Sequence, residues 1–104
     1  MGTVKRAVIS GSTSGDNTLV TAVTGKKIRV LSLFLVPTSA VTVRFESAAG
    51  GTALTGQMPL AANAMLVLPF NEKGWFQTAA KELLNMELSD AVAVNGALTY
   101  EEAA

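Results

Sequence analysis

The sequence predicts an all-β protein, an antiparallel β-sandwich of about eight short strands, on three observations. Short apolar or alternating runs recur every ~8–12 residues, the spacing of strands in sandwiches and barrels. Turn formers separate them: Gly11-Ser12-Thr13-Ser14-Gly15-Asp16, Thr24-Gly25, Pro37-Thr38-Ser39, Ala49-Gly50-Gly51 and Asn71-Glu72-Lys73-Gly74. Sustained helical periodicity is lacking, and only the stretch 78–84 competes as a helix by propensity. A jelly roll is one such sandwich. The 104 residues suit one domain, spanning 1–104.

Taken in order, the expected strands are 4–10, 17–23, 27–36, 41–47, 64–70, 75–78, 82–89 and 97–102. The fourth is the plainest: Val41, Val43 and Phe45 alternate with Thr42, Arg44 and Glu46, a half-buried strand. In the seventh, Leu84, Met86 and Leu88 alternate with Asn85, Glu87 and Ser89, so a turn and then a strand are expected rather than a helix. Asn95-Gly96 suits a tight hairpin turn before the last strand.

The third strand is apolar on both faces over residues 31–36. Uninterrupted alternation from Lys27 puts Ile28, Val30, Phe34 and Val36 on the core side. Leu31, Leu33 and Leu35 then point outward, on the face of Lys27 and Arg29. Either a loop or helical turn of the same chain covers these leucines, or the stripe is a contact with another subunit or a capsid, since three exposed leucines are an association liability. Trp75, beside Phe76, marks the densest aromatic site. It is open to core packing, to anchoring in a partner's pocket, or to stacking on a sugar. The candidate contact residues are therefore Leu31, Leu33, Leu35, Lys27, Arg29 and Trp75.

Composition removes most chemistry. There is no His and no Cys, which excludes imidazole-activated nucleophiles, imidazole or thiolate metal sites, and disulfides. Eight basic and eight acidic residues cancel, so the chain lacks the summed field that nucleic-acid binding needs. Charged residues are 15% of the chain against ~25% in ordinary domains, yet no apolar run approaches the ~20 residues of a membrane span. Neither nucleic acid nor membrane is expected as a partner. Charge is uneven along the chain: six cations face Asp16 alone up to residue 44, and two cations face seven acids after it. Cross-strand neutralisation within one molecule is one reading of this. The other is a basic end that meets an acidic end on a neighbour.

The motifs that resemble catalytic signatures fail on their residues. In Gly11-Ser12-Thr13-Ser14-Gly15 the centre of the G-x-S-x-G pattern is Thr13, and no histidine exists to activate it. In the Walker-like stretch 20–27, Val20 replaces the first glycine and Lys27 replaces the magnesium-binding hydroxyl, leaving a hairpin turn. Glu101 and Glu102 point to opposite faces of a strand, as do Glu82 and Glu87, so no pair of acids converges. No catalytic residue, metal site or cofactor site is expected.

Several segments carry a resemblance: Gly50-Gly51-Thr52-Ala53-Leu54-Thr55-Gly56, Pro59-Leu60-Ala61-Ala62-Asn63, Leu68-Pro69-Phe70-Asn71 and Gly74-Trp75-Phe76-Gln77-Thr78-Ala79-Ala80. With the opening 9–18 and the later 83–89, the chain resembles small virion proteins of tailed bacteriophages, of the head decoration or cement type. The resemblance implies a non-enzymatic β-sandwich that binds the shell of major capsid protein, forms a homo-oligomer (dimer or trimer) and resides in the virion. With no signal peptide at the start, synthesis in the host cytoplasm is expected. Tail-fibre or receptor-binding modules and carbohydrate-binding β-sandwiches share this texture and form the alternative.

Overall fold

The structure is a computed structural model, and it describes residues 3–104. Ten strands follow one another: β1 (Val4–Gly11), β2 (Gly15–Val20), β3 (Lys27–Pro37), β4 (Val41–Ser47), β5 (Thr52–Ala53), β6 (Met58–Leu60), β7 (Leu66–Leu68), β8 (Phe76–Gln77), β9 (Leu84–Leu88) and β10 (Val94–Ala103). They form two packed antiparallel sheets, the β-sandwich that the sequence predicts. One sheet has the order β1-β10-β3-β7, with β8 on the same edge of β3. The other has the order β2-β9-β4-β5, with β6 also on β4. Among the described residues no helix is long and apolar enough to cross a membrane.

Alternation builds the core. Val41, Val43 and Phe45 of β4 and Leu84, Met86 and Leu88 of β9 turn inward from one sheet. Ile9 of β1, Val94 and Leu98 of β10, and Ile28, Val30, Leu33 and Leu35 of β3 meet them from the other. The stretch 78–84 is a turn leading into β9, as the alternation predicts. Two short strands, β5 and β6, lie where the sequence predicts no strand. They are two and three residues long, too brief to show a period.

Strand β3 departs from the expected face assignment. Thr99 of β10 pairs with Ser32 and Tyr100 pairs with Val30, so Leu31 is an extra residue in the ladder, a β-bulge. The bulge shifts the alternation by one. Leu31, Leu33 and Leu35 are buried, while Phe34 is 49% exposed and Val36 is half-buried. The leucine stripe is therefore interior and is no outward contact surface. Lys27 and Arg29 lie on the opposite face, half-buried. Leu31 lies outside the main inter-sheet cluster. The segment after β7 runs beside it, Asn71 N–H donating to the Leu31 carbonyl at 2.8 Å and Trp75 N–H to the Val30 carbonyl at 2.8 Å.

Two turn assignments also change. Asn95-Gly96 is no hairpin turn but lies within β10, opposite Val36 and Leu35 on one side and Ser10 and Ile9 on the other. Glycine is needed there because a Cβ at position 96 would collide with the Phe34 carbonyl oxygen. Thr24-Gly25 does turn, closed by Lys26 N–H on the Val23 carbonyl at 3.0 Å, but it carries the chain from one sheet to the other rather than closing a hairpin. Asn63 takes the left-handed conformation (φ 64°), which asparagine tolerates better than most residues.

The bulge makes a direct prediction about neighbouring residues. Leu33→Lys should lower stability by about 4 kcal/mol, because it places an unpaired charge in the core, and that is most of a small domain's total. Phe34→Lys should fold with an unchanged circular dichroism spectrum. Thermal melts of the two variants check the assignment. A folded Leu33→Lys beside an unfolded Phe34→Lys would place the bulge wrongly.

Candidate functional site

Three surfaces bring together residues with chemical potential: the outer face of the β2-β9-β4 sheet, the open edge near Trp75, and the outer face of the β1-β10-β3-β7 sheet.

The first holds a polar network. Cross-strand pairing puts Asp16 beside Glu87 and Glu87 beside Arg44; in the next row, Thr18, Asn85 and Glu46 stand side by side. Carboxylate oxygens of Asp16, Glu46 and Glu87 all lie within 4.8 Å of one another. Reading the acids as unconverged was therefore incorrect, since these three come from three strands whose pairing one sequence does not reveal. Arg44 bonds Glu46 and reaches Glu87 at 2.8 Å. Asn85 Nδ2 donates to Asp16 Oδ1 at 2.9 Å and to Glu46 Oε1 at 2.8 Å. Glu46 and Asn85 are fully buried, and Asn85 Oδ1 and Arg44 Nε lack a partner. The hydrogen bond that Arg44 donates to Glu46 raises the arginine pKa above its already high ordinary value. The guanidinium thus stays charged and takes the place that a cation would hold between two carboxylates.

At the open edge, β7, the segment after it and β8 face β5 and β6 across the gap between the sheets. Phe45, Leu54, Met58, Leu68, Trp75 and Phe76 are among the residues lining a cleft of about 190 Å³ there. Phe45 and Phe76 stack with ring centroids 5.2 Å apart. Trp75 is 43% exposed and forms one lip, its indole N–H held by the Pro69 carbonyl at 2.8 Å. Met65 and Phe70 on the neighbouring turns are about three-fifths exposed. Trp75 is thus partly core and partly surface. Thr55 supplies the only polar side chain among the cleft residues. A sugar site needs several convergent polar groups, and this lining offers one.

The third surface carries a cross-strand row of apolar side chains, one from each strand: Val8, Phe34 and Val67 are exposed and Ala97 is half-buried. Beyond it lie Ser32 and Thr99, whose hydroxyls bond at 2.6 Å, and then Arg29, tied to Glu101 at 2.7 Å and to Gln77 at 3.0 Å. Near this end Lys5 pairs with Glu102 at 3.0 Å, and that hydrogen bond raises the lysine pKa. A raised lysine pKa stabilises the fold below about 10.5, and the contribution fades as pH climbs through the folded value. The β1–β10 tie therefore holds throughout the neutral range.

Of the six candidate residues, Trp75 alone remains well exposed. Leu31, Leu33 and Leu35 are interior, Arg29 is committed to Glu101 and Gln77, and Lys27 is half-buried opposite Ala103. The apolar row was missed because it becomes visible only once the bulge in β3 is known. The chain matches no protein-family model and no curated relative.

The network around Arg44 is expected to be self-contained. A chelator should leave the melting temperature unchanged, whereas Arg44→Met should lower it by several degrees, because Glu46 loses its cation while buried. A melt that drops on chelation would mean that these carboxylates hold a metal ion.

Proposed function

We propose that the chain is a non-enzymatic decoration, or cement, protein of a tailed-phage head, a virion component made in the host cytoplasm that binds the major capsid protein shell. The sequence resemblance supports this reading, and so does the strand order. With β5 and β6 counted as one lane and β7 and β8 as another, the sheets run 1-8-3-6 and 2-7-4-5. We read that order as a jelly roll, an architecture that viral capsid proteins share with lectins and cupins. Fold alone does not give function, so the surface has to carry the assignment.

The observation that carries it is the open edge. Met65, Phe70 and Trp75 stand out from turns that backbone hydrogen bonds tie to β3. A rigidly held, half-exposed Trp with a neighbouring Phe is the composition of a protein–protein anchor. A copy docked through this edge stabilises the shell by mass action, since a ligand that binds only the assembled lattice favours it over dissociated subunits. The tail-fibre and carbohydrate-binding alternatives gain less, because the cleft beside Trp75 is almost wholly apolar.

Shells lacking the protein should recruit it and then withstand heat better than bare shells. Phe70→Ser with Trp75→Ser should weaken recruitment by roughly 30-fold or more, the loss of about 2 kcal/mol typical of an anchor pair, while circular dichroism stays native. Full binding by the folded double variant would remove this edge from the contact. Co-fractionation with tails and indifference to shells would favour the fibre reading.

A further inference from the structure

The outer face of the β1-β10-β3-β7 sheet is complementary to itself, and we infer that it binds a second copy of this chain in a two-fold dimer. The inference is independent of shell binding.

The central row reads Val8, Ala97, Phe34, Val67 across the sheet, with Val8 74%, Phe34 49% and Val67 54% exposed. Its two middle members differ most in size. Depressions flank Ala97: one of about 270 Å³ lined by Arg6, Ser32, Phe34 and Thr99 among others, and one of about 230 Å³ lined by Arg6, Ala7 and Val8. Phe34 rises beside the first. A two-fold axis lying in the interface, parallel to the strands and between β10 and β3, reverses the row. Phe34 of each copy then meets Ala97 of the other, and Val8 meets Val67. A large side chain faces a small one at both central positions, as an isologous contact requires.

The flanking rows obey the same operation. Reversal turns Val4, Glu101, Arg29 and Gln77 end for end, which brings the half-buried Arg29 of each copy over the buried, already paired Glu101 of the other rather than over a like charge. Thr99 faces Ser32. Arg6, for which no ion pair is found among the described residues, faces the partner's edge beyond β7 rather than the partner's Arg6. Head-to-tail packing onto the opposite sheet is disfavoured, because that face presents Asp16, Glu87 and Arg44 to an apolar row.

Size allows the contact. Four strands at ~4.8 Å spacing and eight residues at ~3.3 Å each give a face of about 500 Å² in projection. Side-chain relief raises that toward the ~800 Å² per partner of a stable dimer.

The test exploits the absence of cysteine. Sedimentation velocity on the unmodified chain at tens of micromolar should give twice the monomer mass, and Ala97→Arg should give a folded monomer. Val8→Cys with Val67→Cys in one chain should be joined between copies by dibromobimane, a short thiol cross-linker, because facing Cα atoms of packed sheets stand ~10 Å apart, beyond the reach of a disulfide. Val8 and Val67 of one chain are three strands apart, about 14 Å, too far to bridge internally. Neither single cysteine variant should cross-link. Efficient Val8–Val8 cross-linking, a trimer mass, a monomer at every concentration, or a folded Ala97→Arg that still dimerises would each overturn the inference.

Discussion

The extra residue in β3 governs much of the molecule. Opposite it, the β10 ladder steps from Thr99 to Tyr100 with Leu31 unmatched. On one side of that step Ile28 and Val30 face the core; on the other, Leu33 and Leu35 do. A regular strand with this composition would have had to expose either Leu31, Leu33 and Leu35 or the opposite face, on which Ile28 and Val30 stand with Phe34 and Val36. Inserting one residue resolves the conflict, because a shift of one exchanges every side chain between faces. It also leaves the free edge of β3 irregular at one point. There the partner strand divides into β7 and β8, and the intervening segment stands out with Phe70 and Trp75 on it. Core composition, the outer apolar row and the projecting edge thus follow from one local event.

That event also sets the limit of what the sequence discloses. Alternation in β4 and β9 was legible because one face of each is polar, and the two-sheet architecture follows from such strands and the turns between them. Residues 31–36 are apolar throughout, so periodicity cannot say which face is which, and a one-residue slip is invisible. Asn95-Gly96 misleads for a related reason. Its dipeptide suits a turn locally, but Gly96 answers a steric demand from Phe34 and Leu35 on the neighbouring strand. Contact with a strand more than sixty residues away overrides local preference.

The candidate sites divide along the same line. Trp75 was identifiable from composition alone, because a lone tryptophan on a small chain either fills the core or marks a surface. The carboxylate–arginine network was not, since Asp16, Arg44 with Glu46, and Asn85 with Glu87 come from β2, β4 and β9. Its bonding pattern gives one outer face a fixed polar character, while the other outer face is apolar along its middle. The sandwich therefore presents two unlike surfaces and one aromatic edge.

The position of Asn95-Gly96 has a chemical consequence as well. An asparagine followed by glycine ages readily in loops, where the glycine nitrogen can attack the side-chain amide carbon and close a succinimide ring. In β10 both residues are extended and paired on either side, to β1 and to β3. The extended backbone holds the Gly96 nitrogen away from the line of attack, although the Asn95 side chain itself is exposed to water. Sheet pairing thus acts as a preservative for the most labile peptide in the chain. Deamidation at Asn95 would then accumulate only during excursions that open the sheet, so the isoaspartate content of an old sample records how often this fold has come apart.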